Sequence, residues 1–295
     1  MNKTKVIVGI GEILWDVFPQ GKQLGGAPAN FAYHVSQFGH DGYAISAIGQ
    51  DELGDEIVES LKDKNLNCFF ATNLFPTGTV QVTLDEKGVP QYEICENVAW
   101  DNIPFTAEME KLARQTDAVC FGSLAQRSNV SRASINLFLN YVPASALIIF
   151  DINLRQHFYS KQLIEDSLKF CNILKINNEE IRVLAKLLGW ESISDVGVCA
   201  QLINDYDLKI VVLTCGEYGS YVVTPTETLF KETPKVKVAD TVGAGDTFTA
   251  TFVTAMLNGN SISEAHQLAV DVSAYVCTQA GAMPVLPKEF LNRSN

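Results

Sequence analysis

The sequence predicts an α/β protein in which a doubly wound, mostly parallel sheet is flanked by helices and accompanied by a small second β-sheet. Short apolar strand-like runs alternate with helical patterns along most of the chain, which is the order that builds a parallel sheet. Residues 68–96 differ, because strand-like runs follow one another there without a helical pattern. No repeat, low-complexity segment or linker divides the chain, so we expect one domain over residues 1–295.

The composition is that of an ordinary globular protein and excludes several classes of partner. The 295 residues are 47% hydrophobic and 19% charged, enough for a sizeable core. A net charge of −12 argues against binding to nucleic acid or to an anionic membrane. No run of 18 apolar residues and no signal-peptide pattern occurs. Seven scattered cysteines are typical of free thiols in a reducing compartment, so we expect a cytoplasmic protein.

The first strand and the first helix each bring polar groups toward a possible ligand. Val6–Ile10 reads as a buried parallel strand, and Asp16 follows it near the sheet edge where α/β proteins bind ligands. Asp16 could equally be a solvated loop carboxylate. Gly25 and Gly26 precede a helix whose fourth residue, Asn30, carries an amide suited to a hydroxyl-rich ligand. Asn30 could instead satisfy local backbone groups.

Residues 68–96 read as an antiparallel excursion from the βα chain. Strand-like runs at 69–71, 79–84 and 92–95 include a hairpin turn predicted at 85–88. A few strands alone bury little surface. We therefore expect this sheet to lie against the ligand, another subunit or both.

The second half of the chain supplies the remaining predicted strands of the main sheet. A helix is expected around 106–115, a terminal hairpin at 219–230, and a capping box, Ser261 to Glu264, opens a late helix. Four strand-like runs are predicted, at 118–121, 147–150, 173–176 and 210–214.

Polar residues follow three of these strands, where they could bind phosphate or sugar. They are Arg155 after the second run, Asn177 and Glu180 after the third, and Thr214, Gly216 and Gly219 at and after the fourth. Each has an ordinary alternative: a surface charge, a helix first-turn acid or a simple glycine turn.

One stretch, 240–246, reads Asp-Thr-Val-Gly-Ala-Gly-Asp between a strand-like run at 236–238 and a helical pattern. Gly243 and Gly245 allow close backbone approach to a ligand, and the N–H groups of the first helical turn form an anion site. Asp246 would repel a phosphate there unless it faces a second substrate and removes that substrate's proton. This arrangement describes a kinase acting on an alcohol. A glycine turn with an acidic helix cap is the alternative.

The whole stretch matches D-T-x-G-A-G-D, the signature of the ribokinase-like (PfkB) carbohydrate and nucleoside kinases. Further patterns resemble the family in order along the chain. They are G-E-x-L-x-D ending at Asp16, G-G-x-x-x-N ending at Asn30, D-x-N-x-R ending at Arg155, N-x-x-E over 177–180 and T-x-G-x-x-G over 214–219. No P-loop, dinucleotide fingerprint or protein-kinase set is present. The resemblance covers essentially the whole chain and is closest to the fructokinases.

The resemblance implies a ribokinase-like fold with a β lid from about 68–96 and part of 12–24, which closes over the sugar and forms a homodimer. It implies Asp246 as the base, with Gly243, Ala244 and Gly245 as the anion hole. Sugar contacts would come from Asp16, Gly25, Gly26, Asn30 and Arg155, and nucleotide contacts from Asn177, Thr214, Gly216, Gly219 and Gly245. Glu180, with Asn177, would order Mg²⁺.

Asp240 would help to bind K⁺, together with carbonyls of Val242 and near Gly281, or it would only hydrogen-bond its own turn. The implied reaction is ATP-dependent phosphorylation of fructose to fructose 6-phosphate. Ribokinase, 2-keto-3-deoxygluconate kinase and nucleoside kinase are the alternatives within the family. A non-catalytic sugar or nucleotide sensor is the alternative from another class.

Overall fold

The computed structural model describes residues 4–84 and 90–294, and its strands form a nine-stranded and a four-stranded sheet. The turn predicted at 85–88 lies outside the described residues. Of the helices in the described ranges, none combines the length and apolarity needed to cross a membrane.

Seven neighbouring strands of the large sheet are parallel, and a terminal antiparallel hairpin extends it. In spatial order the sheet contains β5 (Asn67–Asn73), β4 (Asp41–Gly49), β1 (Val6–Ile10), β8 (Ala118–Phe121), β9 (Leu147–Asp151), β10 (Ile173–Asn177), β11 (Ile210–Thr214), β12 (Ser220–Val223) and β13 (Thr228–Lys231). The chain moves from β1 outward to β4 and β5, then returns to β8 on the other side of β1. The direction of winding therefore reverses at β1, which confirms the predicted doubly wound sheet.

Helices cover both faces of the large sheet. They are α1 (Ala27–Gln37), α2 (Glu52–Leu61), α3 (Ala107–Ala113), α4 (Asn129–Tyr141), α5 (Lys161–Phe170), α6 (Glu180–Leu188), α7 (Asp195–Tyr206), α8 (Ala244–Leu257), α9 (Ile262–Val276) and α10 (Lys288–Arg293). Ile7 of β1 belongs to an apolar cluster that includes residues of α1, α8 and α9, whereas the adjacent Val8 belongs to the cluster that includes residues of α3 to α7. Strands buried on both faces explain the continuous apolar runs in the sequence.

The small sheet differs from the predicted antiparallel excursion. Its spatial order is β3 (Gly21–Gly25), β2 (Leu14–Phe18), β6 (Gly78–Leu84) and β7 (Pro90–Ile94), with β2 and β6 parallel. The run at 69–71 was wrongly assigned to it, because β5 pairs in parallel with β4 of the large sheet. Helix α2 supplies the crossover that a parallel pair requires.

The small sheet is covered by its own chain. Val80 and Val82 are only 6% and 3% exposed and belong to the same apolar cluster as Trp100. On the other face, Trp15 packs in a cluster with Ile57 of α2. Sequence reasoning expected this sheet to need a ligand or a second subunit as cover, and that expectation is wrong for these side chains.

Two local predictions near the carboxyl terminus had opposite outcomes. The capping box is confirmed, since Ser261 and Glu264 exchange side-chain to backbone hydrogen bonds at the start of α9. The strand-like run at 236–238 is irregular in the structure, and Val236 and Val238 are exposed. Among the residues that the structure describes, no neighbouring strand pairs with this run, so its β propensity is not expressed.

Candidate active site

The carboxyl ends of the parallel strands form one edge of the large sheet, and several polar residues meet there. Asn177 at the end of β10 pairs in register with Thr214 of β11, and Lys175 pairs with Asp151 of β9. Next to them, between β1 and β8, a cavity is lined by residues from both sides of the winding reversal. Its lining includes Glu12, Phe31, Phe121, Asp151, Asn153 and Asp246. Ligands of open α/β sheets bind at this kind of position.

The glycine-rich turn delivers the amino end of α8 to that edge. Gly243 is the N-cap, with φ of 75°, and no side chain caps the helix. A Cβ on Gly243 would lie 2.7 Å from the Cα of Ala282, so this position requires glycine for both its conformation and its packing. The N–H groups of Gly245 and Asp246, in the first turn, lack intrahelical acceptors and are suited to an anion.

Asp246 lies in the first turn of α8 beside α1. Its Oδ2 accepts a hydrogen bond from Asn30 Nδ2 at 2.7 Å. Desolvation raises the pKa of Asp246 to about 6 and Asp151 adds to this effect, against the Asn30 hydrogen bond and the charges of Lys175 and Arg155. A carboxyl that ionises close to neutral pH can accept a proton from a substrate and release it again.

Asn30, which is 3% exposed, has an oxygen available for a ligand. Its Nδ2 is used by Asp246, whereas its Oδ1 is buried and has no hydrogen-bond partner among the described residues. Buried amide oxygens are normally satisfied. A hydroxyl donor from a ligand would satisfy this one.

Asp16 lies within β2 of the small sheet rather than in a loop after β1, yet it reaches the same cleft. A Cβ on Gly25 would lie 2.7 Å from Asp16 Oδ2, and one on Gly26 would lie 2.6 Å from the carbonyl oxygen of Glu12. The two glycines therefore make room for the Asp16 carboxylate and for the end of β1. Burial raises the pKa of Asp16 to about 6, and Arg155 opposes the shift.

Arg155 is exposed, and its charge acts on the cleft. Its Nη1 donates to the carbonyl oxygen of Leu154 at 3.1 Å. Burial raises the pKa of Glu12, Asp16 and Asp246, and the positive charge of the Arg155 guanidinium opposes all three rises. The structure thus brings the predicted sugar-contact residues to one region.

Asn177 and Glu180 form a closed set of hydrogen bonds at the start of α6. Asn177 Oδ1 accepts from the N–H groups of Glu179 and Glu180 at 2.9 and 2.8 Å. The two oxygens of the Glu180 carboxylate accept from the N–H groups of Leu154 and Asn177, each at 2.9 Å. Each oxygen of the Glu180 carboxylate keeps a further lone pair, so contact of this carboxylate with a hydrated Mg²⁺ fits the geometry. Within the described ranges, no group of three or more His, Cys, Asp or Glu side chains could hold a metal directly.

The predicted nucleotide glycines shape the turn after β11. A Cβ on Gly219 would lie 2.3 Å from the carbonyl oxygen of Lys231, and the Cys215 N–H donates to the Gly219 carbonyl at 2.8 Å. Gly216 has a φ of 56° and open space on its Cβ side. Thr214, next to Asn177, begins this turn.

Asp240 hydrogen-bonds its own turn, as one of the two alternatives foresaw. Its Oδ1 accepts from the Val242 N–H at 3.0 Å and its Oδ2 from the Gly281 N–H at 3.1 Å. The next residue, Ala282, packs against Gly243, and its carbonyl oxygen accepts from His34 Nε2 at 2.9 Å. Asp240 thereby joins the glycine-rich turn to the 281–282 loop.

Sequence reasoning missed two buried charged residues at this edge. Lys175 lies inside β10, and its Nζ is 3.2 Å from Asp151 Oδ1. Glu12, directly after β1, is 4% exposed, and burial raises its pKa to about 7; its Oε2 lacks a partner among the described residues. The available signal was a single charged residue within, or directly after, an apolar strand.

In this α/β protein, a helix terminus suited to an anion lies beside a carboxyl of raised pKa, at the point where the sheet winding reverses. This arrangement is typical of a phosphotransferase. Residues 11–289 match the profile of the pfkB family carbohydrate kinases, and the chain belongs to that family. Kinases of this family transfer phosphate to an alcohol group.

Individual relatives are similar to the chain over most of its length. Fructokinase-2 of Zea mays is 26% identical, with 96% of this chain and 91% of the relative covered. The 5-dehydro-2-deoxygluconokinase 2 of Bacillus cereus is 25% identical, with 88% and 82% covered. The crystal structure of an uncharacterized sugar kinase from Pyrococcus horikoshii in complex with ATP superposes with a TM-score of 0.82 at 25% identity, covering 98% of this chain and all of that one. The predicted ribokinase-like fold is confirmed.

Proposed function

We propose that the protein transfers the γ-phosphate of ATP to a hydroxyl of a neutral sugar, and that the sugar is fructose, giving fructose 6-phosphate. The observation that carries the proposal is the position of the Asp246 carboxyl, which lies in the first turn of α8 beside free N–H groups and accepts a hydrogen bond from Asn30 Nδ2 at 2.7 Å. A base next to an anion site is what transfer of a phosphoryl group to an alcohol needs.

In the proposed reaction, Asp246 accepts the proton of the sugar hydroxyl while that oxygen forms a bond to the γ-phosphorus. The bond from phosphorus to the bridging oxygen of ADP breaks. The free N–H groups of Gly245 and Asp246, with the adjoining N–H groups of Gly243 and Ala244, stabilise charge on the moving group. Asp16, Gly25, Gly26 and Asn30 orient the sugar. Closure of the small sheet as a lid would exclude water as a competing acceptor.

Two cations belong to the proposal. Mg²⁺ would be held through water by Glu180 and Asn177 and would neutralise charge on the ATP phosphates. K⁺ would lie behind the anion hole near Asp240, whose oxygens retain lone pairs beside their backbone hydrogen bonds. Thr214, Gly216 and Gly219 would contact the nucleotide.

Fructose is favoured by the fructokinase-like patterns ending at Asp16 and Arg155 and by the charge of the cleft. Glu12, Asp16 and Asp246 would repel an acidic sugar. Of the two cations that act on these carboxyls, Lys175 is paired with Asp151 and Arg155 is exposed. Ribose and 2-keto-3-deoxygluconate are the rival acceptors.

Asp246→Asn, assayed with a panel of sugars, tests the proposal. ATP consumption with fructose should exceed that with ribose and 2-keto-3-deoxygluconate in kcat/KM. Asp246→Asn should lower kcat by roughly 10²–10⁴-fold, because the base is lost, while ATP still binds. Asp271→Asn, which changes a surface carboxyl paired with Arg293, is the control and should retain activity. A wild-type protein that binds sugar without consuming ATP would instead be a sensor.

A homodimer and a cytoplasmic location complete the proposal. Strand β3 is an edge of the small sheet within the described residues, and an unpaired edge is suited to pairing with a second copy. Light scattering at micromolar concentration should give twice the chain mass, with or without sugar. A mass of one chain would contradict the dimer.

A further inference from the structure

We propose that Lys175 is a positioning residue that holds Asp151 and the first turn of α8 in place beneath the base Asp246. The inference deepens the proposed function and rests on it for the role of Asp246. Lys175 is buried within β10. It belongs to none of the family patterns named above.

The ammonium of Lys175 lies directly under the anion site. Its Nζ is 3.2 Å from Asp151 Oδ1 and 3.0 Å from the point that a Cβ on Gly245 would occupy. Any side chain at 245 would therefore press against the ammonium. The glycine in the anion hole serves the buried lysine as well as the incoming ligand.

Asp151 extends the contact to α8. Its Oδ2 lies 3.2 Å from the Thr249 hydroxyl, which also lies 3.0 Å from the carbonyl oxygen of Gly245, so the single hydroxyl proton can serve either acceptor. Lys175, Asp151 and Thr249 thus connect β10, β9 and α8. The connection spans the elements that place Asp246.

The charge of Lys175 acts on Asp246 from below. The groups that face Asp246 are Asn30 from α1, Asp151 from β9, Arg155 from the loop after β9, Lys175 from β10 and Glu12 after β1. Of the two cations, Arg155 is exposed to screening by water, whereas Lys175 is buried. Burial lowers the pKa of Lys175, but Asp151, Glu180 and Asp246 together outweigh burial and raise it, so the side chain stays charged.

Opposite substitutions in this pair should move the ionisation of Asp246 in opposite directions. Lys175→Met removes the cation and leaves Asp151 uncompensated, which should raise the pKa of Asp246. In a plot of kcat/KM against pH, the acid limb, where activity falls as Asp246 becomes protonated, should therefore move to higher pH by about one unit or more. Asp151→Asn removes a neighbouring negative charge, so the limb should move to lower pH. The double variant should return close to the wild-type limb, because both charges are lost together.

The kinetic pattern separates positioning from direct binding. Lys175→Met should lower kcat at least tenfold and change the KM for ATP less than threefold, while Lys175→Arg, which keeps the charge, should retain the wild-type limb. Lys186→Met, on the exposed side of α6, is the control. A large rise in the KM for ATP with an unmoved limb would mean that the ammonium binds phosphate, and would overturn the proposal.

A readout without turnover keeps the test independent of the reaction. Carbon-13 NMR titration of the Asp246 carboxyl, assigned with Asp246→Asn, should show the same upward and downward shifts in the two single variants. If the wild-type protein lacks kinase activity but these shifts occur, the proposed function fails and the positioning role stands. If Lys175→Met does not fold, Asp151→Asn and the double variant decide. The pKa of Asp246 should be lower in Asp151→Asn than in the double variant, because only the double variant lacks the lysine charge, and equal values in the two would overturn the inference.

Discussion

Arg155 is an exposed cation whose charge reaches three carboxyls of the cleft, Glu12, Asp16 and Asp246. With a neutral sugar, it should act on ATP or on the transferred phosphoryl group, a contact that strengthens in the transition state. Arg155→Ala and Arg155→Lys should then lower kcat by more than they raise the sugar KM, as steady-state kinetics would measure. With an acidic sugar, the KM should rise most.

Arg114→Ala provides the matched control for that experiment. Arg114, just after α3, is also exposed, but it pairs with Glu110 on that helix. Its removal should leave kcat and the sugar KM unchanged. A rise in the sugar KM without a fall in kcat for Arg155→Ala would contradict the neutral-sugar assignment.

At the scale of the element, the amino end of α8 depends on a glycine that combines a positive φ with close packing. Gly243 and Gly259 both have positive φ, of 75° and 94°. A Cβ on Gly243 would meet Ala282 within 2.8 Å, whereas one on Gly259 would meet nothing within 4 Å. Gly259→Ala should therefore cost only the backbone strain of about 1 kcal/mol.

Gly243→Ala should cost more and abolish turnover, as urea unfolding and kinase assays would show. Equal losses of stability in the two variants would argue against the packing role of the 281–282 loop.

Features encoded by local sequence were predictable, whereas features made by distant residues were not. The strands β8 to β11 follow from apolar runs, and the start of α8 follows from the glycine chemistry of 240–246. The partner of β5 could not be read from residues 68–96, because it depends on the crossover through α2. Lys175 and Asp151 meet only because β9 and β10 pair in one particular register. Local patterns do not identify which parallel strands become neighbours, because a long crossover separates such strands along the chain.

At the scale of the whole molecule, the site's carboxyls and two buried histidines should give opposing pH dependences of stability. The pKa is raised to about 7 for Glu12 and to about 6 for Asp16 and Asp246, mainly by desolvation. Ionisation of these carboxyls is disfavoured in the folded protein but not in the unfolded chain. The three carboxyls therefore lower the free energy of unfolding as pH rises from about 4 to 7. Burial lowers the pKa of His34 and His266 to about 4. Unfolded histidines bind protons up to about pH 6.5, so these two increase stability as pH rises from about 4 to 6.5.

The two effects oppose each other in the wild-type protein, so its thermal midpoint should rise less between pH 4.5 and 6.5 than that of a variant without the carboxyls. Glu12→Gln combined with Asp16→Asn removes much of the carboxyl effect and leaves that of the histidines. The midpoint of the double variant should therefore rise by about 5–10 °C over the same range, since 1 kcal/mol corresponds to about 2–4 °C in a chain of this size. Calorimetry without ligands measures both curves, and Glu191→Gln, at an exposed position, is the control. If the curve of the double variant runs parallel to the wild-type curve, these two carboxyls do not strain the fold, and the folded protein tolerates their charge at neutral pH.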